Sequence, residues 1–338
     1  MSSIRDVANL AHVSPATVSR VLNNDTTYKI TPETRKNVLW AVTELNYKHL
    51  VKRRKRSDAA NGNDKKISIA CLLTATKGKY SDPFYLSILS GLEQELERFN
   101  AAVTIVHTVL ELENEEALDS LLSAGVDGLV IMRPIPNELF DLLHASIPHI
   151  VGVDVGHMPI DSVEYDHERV SRMAVEYLHQ KGHRQIGFIG GSVMGMTLER
   201  SRRYRSYRET MTDLGLEVNP EWVLDCDWDD KLCMKLVEKV CKTGNMPTAF
   251  YAASDLMAMA ALRALYQAGI RVPDEVAVIG MSNIEMSQYA NPPLTTIDVP
   301  TVEIGIAVAR VIAARIQGDK TLPKHIILPS TLIERDSV

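Results

Sequence analysis

The stretch from Ser2 to Tyr47 restricts this chain more than any other. Ile4, Val7, Ala8 and Ala11 recur at three- and four-residue spacing and so share one helical face. Ser3 stands where it would cap that helix, with Asp6 near its positive end. A tight turn is expected at His12–Val13. Ser14 then caps a second helix, with Pro15 at the first position, where a missing N–H costs nothing. Val18, Val21 and Leu22 face back onto the first helix and leave Pro15, Ala16, Thr17, Ser19 and Arg20 outward or sideways. Thr31-Pro32-Glu33 restarts a third helix by the same chemistry, with Val38, Leu39, Val42 and Leu45 on its buried side. Two short helices, the second opening with small residues and carrying an arginine, make a helix-turn-helix. By pattern alone the stretch also suits an ordinary three-helix packing unit.

Charge separates these readings. Residues 1–56 hold eleven Lys and Arg against Asp6, Asp25, Glu33 and Glu44, a balance of +7, so the total of −6 leaves −13 on the rest. A basic end on an acidic body is the asymmetry of a module that meets phosphate. The run Lys52 to Arg56 lies just beyond the third helix, where it would track phosphates or enter a minor groove.

From Ile67 onward short β-rich runs alternate with helical ones. Strands are expected at Ile67–Leu73, Ala102–Val106, Gly128–Ile131 and His149–Val153. Helices are expected at Phe84–Phe99, Glu115–Ser123 and Asn137–His144. The cycle repeats with helices at Asp166–Lys181, Leu198–Leu214, Asp230–Thr243 and Asp255–Ala268, and strands at Gln185–Ile189, Ala249–Ala252 and Val276–Gly280. Buried strands between helices make parallel sheets with crossovers. The fold class expected is therefore an all-α helix-turn-helix headpiece joined to an α/β two-lobed body, two parallel sheets flanked by helices. At 338 residues the chain suits two or three domains.

Catalytic chemistry finds no foothold. Gly187-Phe-Ile-Gly190-Gly191 lacks dinucleotide spacing and reads as a strand end turning toward a helix. Asp225, Asp227, Asp229 and Asp230 lack calcium-loop spacing and read as a solvated acidic loop. No nucleophile–base set can be assembled, so no catalytic residue, no metal and no cofactor is expected. Cys71, Cys226, Cys233 and Cys241 form no ligand pairs and read as reduced thiols. No apolar run approaches ~20 residues. A cytoplasmic, non-membrane protein is expected.

Ile-Arg-Asp-Val-Ala, Val-Ser-Pro-Ala-Thr-Val-Ser-Arg-Val-Leu-Asn, Thr-Pro-Glu-Thr-Arg and Leu-Asn-Tyr, in that order, resemble the headpiece of the LacI/GalR family of transcription repressors. The resemblance implies a headpiece at 1–47, a basic hinge at 48–66 and an effector-binding and dimerisation body at 67–338. That body resembles the periplasmic sugar-binding fold. It would have one lobe from about 67–166 and 298–327 and the other from 167–297 and 328–338. Ser14, Pro15, Ala16, Thr17, Ser19, Arg20, Asn23 and Tyr47, with Lys52, Arg53, Arg54 and Arg56, would contact operator DNA. The hinge departs from the family: its leucine position falls at about Lys55 or Arg56, so a basic contact is expected in place of a wedge.

For the effector, Asp82-Pro-Phe-Tyr resembles a crevice-lining segment and points to Phe84 and Tyr85. Met132 and Asp154 lie at strand ends, where Asp154 reads equally as a turn cap. Arg203, in Arg-Tyr-Arg-Ser-Tyr, resembles the family's effector-binding arginine, with Arg202 and Arg205 as rivals and Ser206 in place of a glycine. Trp228 matches a sugar-stacking tryptophan or is a core or rim residue. In Ala-Ala-Ser-Asp the resemblance gives Ser254 to the crevice and leaves Asp255 to cap the next helix, and Ser282 replaces a family aspartate. Such residues suit a sugar: charged donors for hydroxyls and an aromatic face for the ring. The likeness within the family points to repressors of galactose and β-galactoside utilisation. It implies a homodimer whose operator affinity follows a small galactoside-like sugar held between the lobes. A purine co-repressor, a phosphorylated carrier protein, or a sugar-binding or sugar-processing protein without specific DNA binding are the alternatives.

Overall fold

The structure, a computed structural model, describes residues 3–22, 30–45, 66–74, 80–156, 158–192 and 197–338. In the headpiece, α1 (Ile4–Leu10) opens on a capping box. The Ser3 hydroxyl accepts from the Asp6 N–H, and the Asp6 carboxylate accepts from the Ser3 N–H at 2.7 Å. His12 turns the chain with φ of 52°, and α2 (Pro15–Leu22) follows, capped by Ser14 Oγ accepting from the Thr17 N–H at 3.0 Å. Thr31 Oγ1 accepts from the Thr34 N–H at 3.2 Å at the start of α3 (Pro32–Glu44). Val7, Ala8, Ala11, Val18, Val21, Val38, Ala41 and Val42 form the core, with Ile4, Leu22 and Leu45 packed on it. Small side chains let the helices approach closely, and caps supply what so small a core lacks. Leu39 lies outside the described side chains.

The body runs β1 (Ile67–Leu73), α4 (Pro83–Leu96), β2 (Ala101–Thr108), α5 (Glu115–Ser123), β3 (Gly128–Met132), α6 (Asn137–Ser146), β4 (Ile150–Val153) and β5 (Asp161–Tyr165). Next come α7 (His167–Gln180), β6 (Ile186–Gly190), α8 (Arg202–Asp213), β7 (Val223–Asp225), α9 (Asp230–Thr243), β8 (Ala249–Ala252), α10 (Asp255–Gln267) and β9 (Ala277–Ser282). The chain closes with β10 (Thr295–Asp298), α11 (Thr301–Ile316), β11 (His325–Leu328) and β12 (Thr331–Ile333). One six-stranded sheet has the order β11-β5-β4-β3-β1-β2, the other β12-β10-β9-β8-β6-β7. The ladders from β2 through β1 and β3 to β4, and from β7 through β6, β8 and β9 to β10, are parallel; β12 joins β10 antiparallel. Each sheet has its own apolar core: Leu72, Leu129, Ile131 and Phe140 in the first, Ile189, Phe250, Ala261 and Val278 in the second.

Several expectations need correction. Strands β5 and β7 are absent from the expected elements: β5 is short and carries Asp161 and Glu164, and β7 has only three residues. In β5 every residue is buried, charged ones included. Asp161 is tolerated there because Arg315 holds it with two bonds, Nε to Oδ2 at 2.7 Å and Nη2 to Oδ1 at 2.8 Å. The helix expected over 198–214 breaks at Ser201, between a 3₁₀ turn (Leu198–Arg200) and α8.

The chain divides into two compact units. Residues 93–162 and 308–324 belong with β1, while the described part of 76–92, together with 163–307 and 325–338, forms the second unit. Phe84–Leu92 and Asp298–Ala307 therefore go together in the second unit. Glycines let the two segments approach closely: a Cβ on Gly91 would strike the Val302 carbonyl, and one on Gly305 the Ile88 carbonyl. Those helix turns touch backbone to backbone, and Ser87 and Thr301 hydroxyls pair at 2.7 Å beside them.

Candidate functional site

Two sites are built from these elements. The first is the exposed start of α2. Pro15 and Ala16 are exposed, Thr17, Ser19 and Arg20 half-buried, and the Thr17 hydroxyl lies 2.9 Å from Ser14 Oγ. Val18 and Val21 pin the opposite face into the core, so this edge keeps one orientation. Small side chains at a helix start with an arginine one turn on suit a major groove. Asn23, Tyr47, Lys52, Arg53, Arg54 and Arg56 fall outside the described residues.

The second site lies in the second unit, at the carboxyl ends of its parallel strands, where α/β sheets present ligand-facing loops. Arg203 occupies the first turn of α8 and is 6% exposed. Its Nη2 donates to the Tyr165 hydroxyl, and its guanidinium lies 5.1 Å from the centroid of Trp228 and 5.9 Å from that of Tyr165. Of the three arginines it is Arg203 that lies buried against these rings: Arg202 pairs with Glu164 at 3.1 Å, and Arg205 is exposed. Ser206 donates instead to the Glu168 carbonyl at 2.7 Å, tying α8 to α7.

Trp228 is held rigidly. With Asp227 it takes a left-handed conformation (φ 46° and 54°), and its indole N–H donates to the Ser192 carbonyl at 2.9 Å. A Cβ on Gly191 would lie 2.6 Å from the Trp228 ring and backbone nitrogen, so only glycine leaves room there. The acidic loop is more than a solvated one. Asp225 accepts from the N–H groups of Ser192 (3.0 Å) and Asp227 (3.2 Å), and Asp229 caps α9 through the Leu232 N–H at 2.7 Å.

Phe84 joins this wall, its ring 6.3 Å from Tyr165 and 5.4 Å from the buried Tyr85. Ser254 is the N-cap of α10, accepting from the Met257 N–H at 3.3 Å. Asp255 is therefore not the cap. It is fully buried, accepting from the Thr296 hydroxyl at 2.6 Å and the Ile284 N–H at 2.9 Å, and burial pushes its carboxyl up to about 6. Ser282 ends β9, buried, with φ of 119°, and Asn283 beside it is taken up by Asp298 (2.9 Å) and Arg335 (2.7 Å). Met132 and Asp154 lie in the first unit. Met132 is buried at the end of β3, and Asp154 follows β4 with φ of 53°.

Sequence reasoning missed Tyr165, Gly191 and the buried His167, whose ring is 4.0 Å from that of Tyr165. The alternation of Val163 and Tyr165 just before the capping Asp166 was the available signal for the first.

A model of bacterial regulatory proteins of the lacI family matches residues 3–49, and one of periplasmic binding protein-like domains matches 175–338. The HTH-type transcriptional repressor MelR of Bacillus subtilis (strain 168) is 32% identical, over 100% of this chain and 97% of its own. The chain belongs to the lacI family. It is a DNA-binding transcriptional repressor, and its relatives are repressors rather than enzymes. The HTH-type transcriptional repressor PurR of Photobacterium profundum is 30% identical over 100% of this chain and 99% of its own. Among solved structures, a complex of the transcriptional regulator CelR with cellobiose superposes with a TM-score of 0.75 at 28% identity, covering 100% of both chains. The lac repressor dimer bound to operator and an anti-inducer gives 0.71 at 25% identity, covering 99% of this chain and 98% of that one. Among the described residues no helix is long and apolar enough to cross a membrane.

Proposed function

We propose that a small galactoside-like sugar engaging the Arg203–Tyr165–Trp228 wall sets the affinity of this repressor for its operator, and that the repressor acts as a two-fold homodimer. The carrying observation is the buried guanidinium set against two aromatic faces. Guanidinium N–H groups suit sugar hydroxyls, and an indole face suits the apolar side of a pyranose. The sugar changes operator occupancy only by binding two arrangements of the body unequally. Two headpieces are needed because one contacts too few bases for useful specificity. The likeness to the CelR–cellobiose complex supports a sugar. Similarity to repressors named PurR favours a second reading, a purine co-repressor that would stack on the same indole.

Calorimetry with galactose, lactose and hypoxanthine, paired with operator gel shifts, separates the two. Arg203→Ala is expected to keep operator affinity and to lose the response to sugar. A variant that still responds normally removes Arg203 from the effector site.

A further inference from the structure

Resting on the reading that the Arg203 wall takes the effector, we propose that this effector is an acidic sugar, whose carboxylate or phosphate is held by Arg203 at the start of α8. Arg203 is more than nine-tenths buried, yet among the described residues it has no carboxylate partner, and its Nε–H has no hydrogen-bond acceptor. Among those residues its one side-chain hydrogen bond goes to a neutral phenol, the Tyr165 hydroxyl. Aromatic faces at 5.1 and 5.9 Å soften a buried positive charge without neutralising it. Glu164, which flanks Tyr165, is spent on Arg202.

The position of Arg203 sharpens the imbalance. It lies in the first turn of a twelve-residue helix, at the positive end of the helix dipole, where cations are disfavoured and anions favoured. That turn contains no acidic residue, and Ser201 gives it no side-chain hydrogen bond. A buried cation with an unpaired donor, at a helix start without a side-chain cap, favours an oxyanion over a neutral hydroxyl. The guanidinium fork matches carboxylate and phosphate alike. Trp228, locked by Ser192 and seated on Gly191, supplies the surface for the ring that carries the anion.

The test uses the full chain and calorimetry with galactose, galacturonate, galactose 6-phosphate, inorganic phosphate and hypoxanthine. One acidic sugar is expected to bind at least about tenfold more tightly than galactose, and which of the two does so identifies the anion. In Arg203→Gln that advantage is expected to shrink below about threefold. Should this variant fail to fold, Arg203→Lys serves, since it keeps the charge but loses the planar fork, and the advantage is expected to fall by about threefold or more. Galactose binding as tightly as both acidic sugars overturns the anion while leaving a sugar effector standing. An advantage unchanged in both variants removes Arg203 from it. Inorganic phosphate binding as tightly as galactose 6-phosphate means an adventitious ion only. Hypoxanthine binding where no sugar does overturns this proposal and the sugar reading together.

Discussion

Replacing Asp255 with asparagine is expected to make the body more stable at neutral pH, not less. Asp255 has no exposed surface, and burial, the largest influence on it, pushes its carboxyl from an ordinary 3.8 up to about 6 against the pull of its hydrogen bonds from Thr296 and Ile284. A carboxyl raised in the folded state binds its proton more tightly there than in the unfolded chain. Its contribution to stability is therefore complete below pH 3.8 and lost as pH rises through about 6. Two pH units of difference correspond to about 3 kcal/mol. Asparagine is neutral throughout and can satisfy both neighbours. Its carbonyl accepts from the Ile284 N–H, and its amide donates to Thr296 Oγ1 once that hydroxyl turns. Against the gain stands the favourable charge at the start of α10, about 0.3–1 kcal/mol. A net gain of about 2 kcal/mol at pH 7 is expected, shrinking toward zero at pH 4. Urea unfolding of both proteins from pH 4 to 7.5 measures it. A variant less stable than the parent at pH 7, by an amount that does not change with pH, would refute the reasoning, because the charge would then be well solvated where it sits.

Three further outcomes follow from the geometry. Ser14→Ala removes the acceptor for the Thr17 N–H and should cost about 1 kcal/mol of headpiece stability in thermal melts, with weaker operator binding. Arg20→Ala should lose about 1–3 kcal/mol of discrimination at one base pair of each half-site. Competition gel shifts with altered half-sites read this, and uniform weakening over all sequences would show that Arg20 meets only phosphate. Gly191→Ala should displace Trp228, costing about 1–3 kcal/mol in unfolding and changing tryptophan emission while operator affinity holds. Unchanged emission would mean that the indole does not rest on Gly191.

The headpiece was readable residue by residue because its determinants are local. Ser3, Ser14 and Thr31 cap within three residues, and the valines and alanines repeat at helical spacing. The alternating body was readable for a related reason, since strands buried on both faces are apolar runs bounded by turns. Strand β5 broke that rule, its carboxylates being compensated by Arg315 and Arg202, 154 and 38 positions away. No local window contains such partners. For the same reason Arg202, Arg203 and Arg205 were interchangeable on paper.

Sequence by itself determined that a basic helix-turn-helix precedes an acidic α/β body, since caps, periodicity and charge are short-range properties. Only tertiary structure decided which arginine is buried beside Trp228, that Tyr165 receives its hydrogen bond, and that Asp255 ties strand ends together rather than capping a helix. Each of those outcomes depends on desolvation and on groups that meet only when distant strands come into register, and neither is encoded in any neighbouring residue.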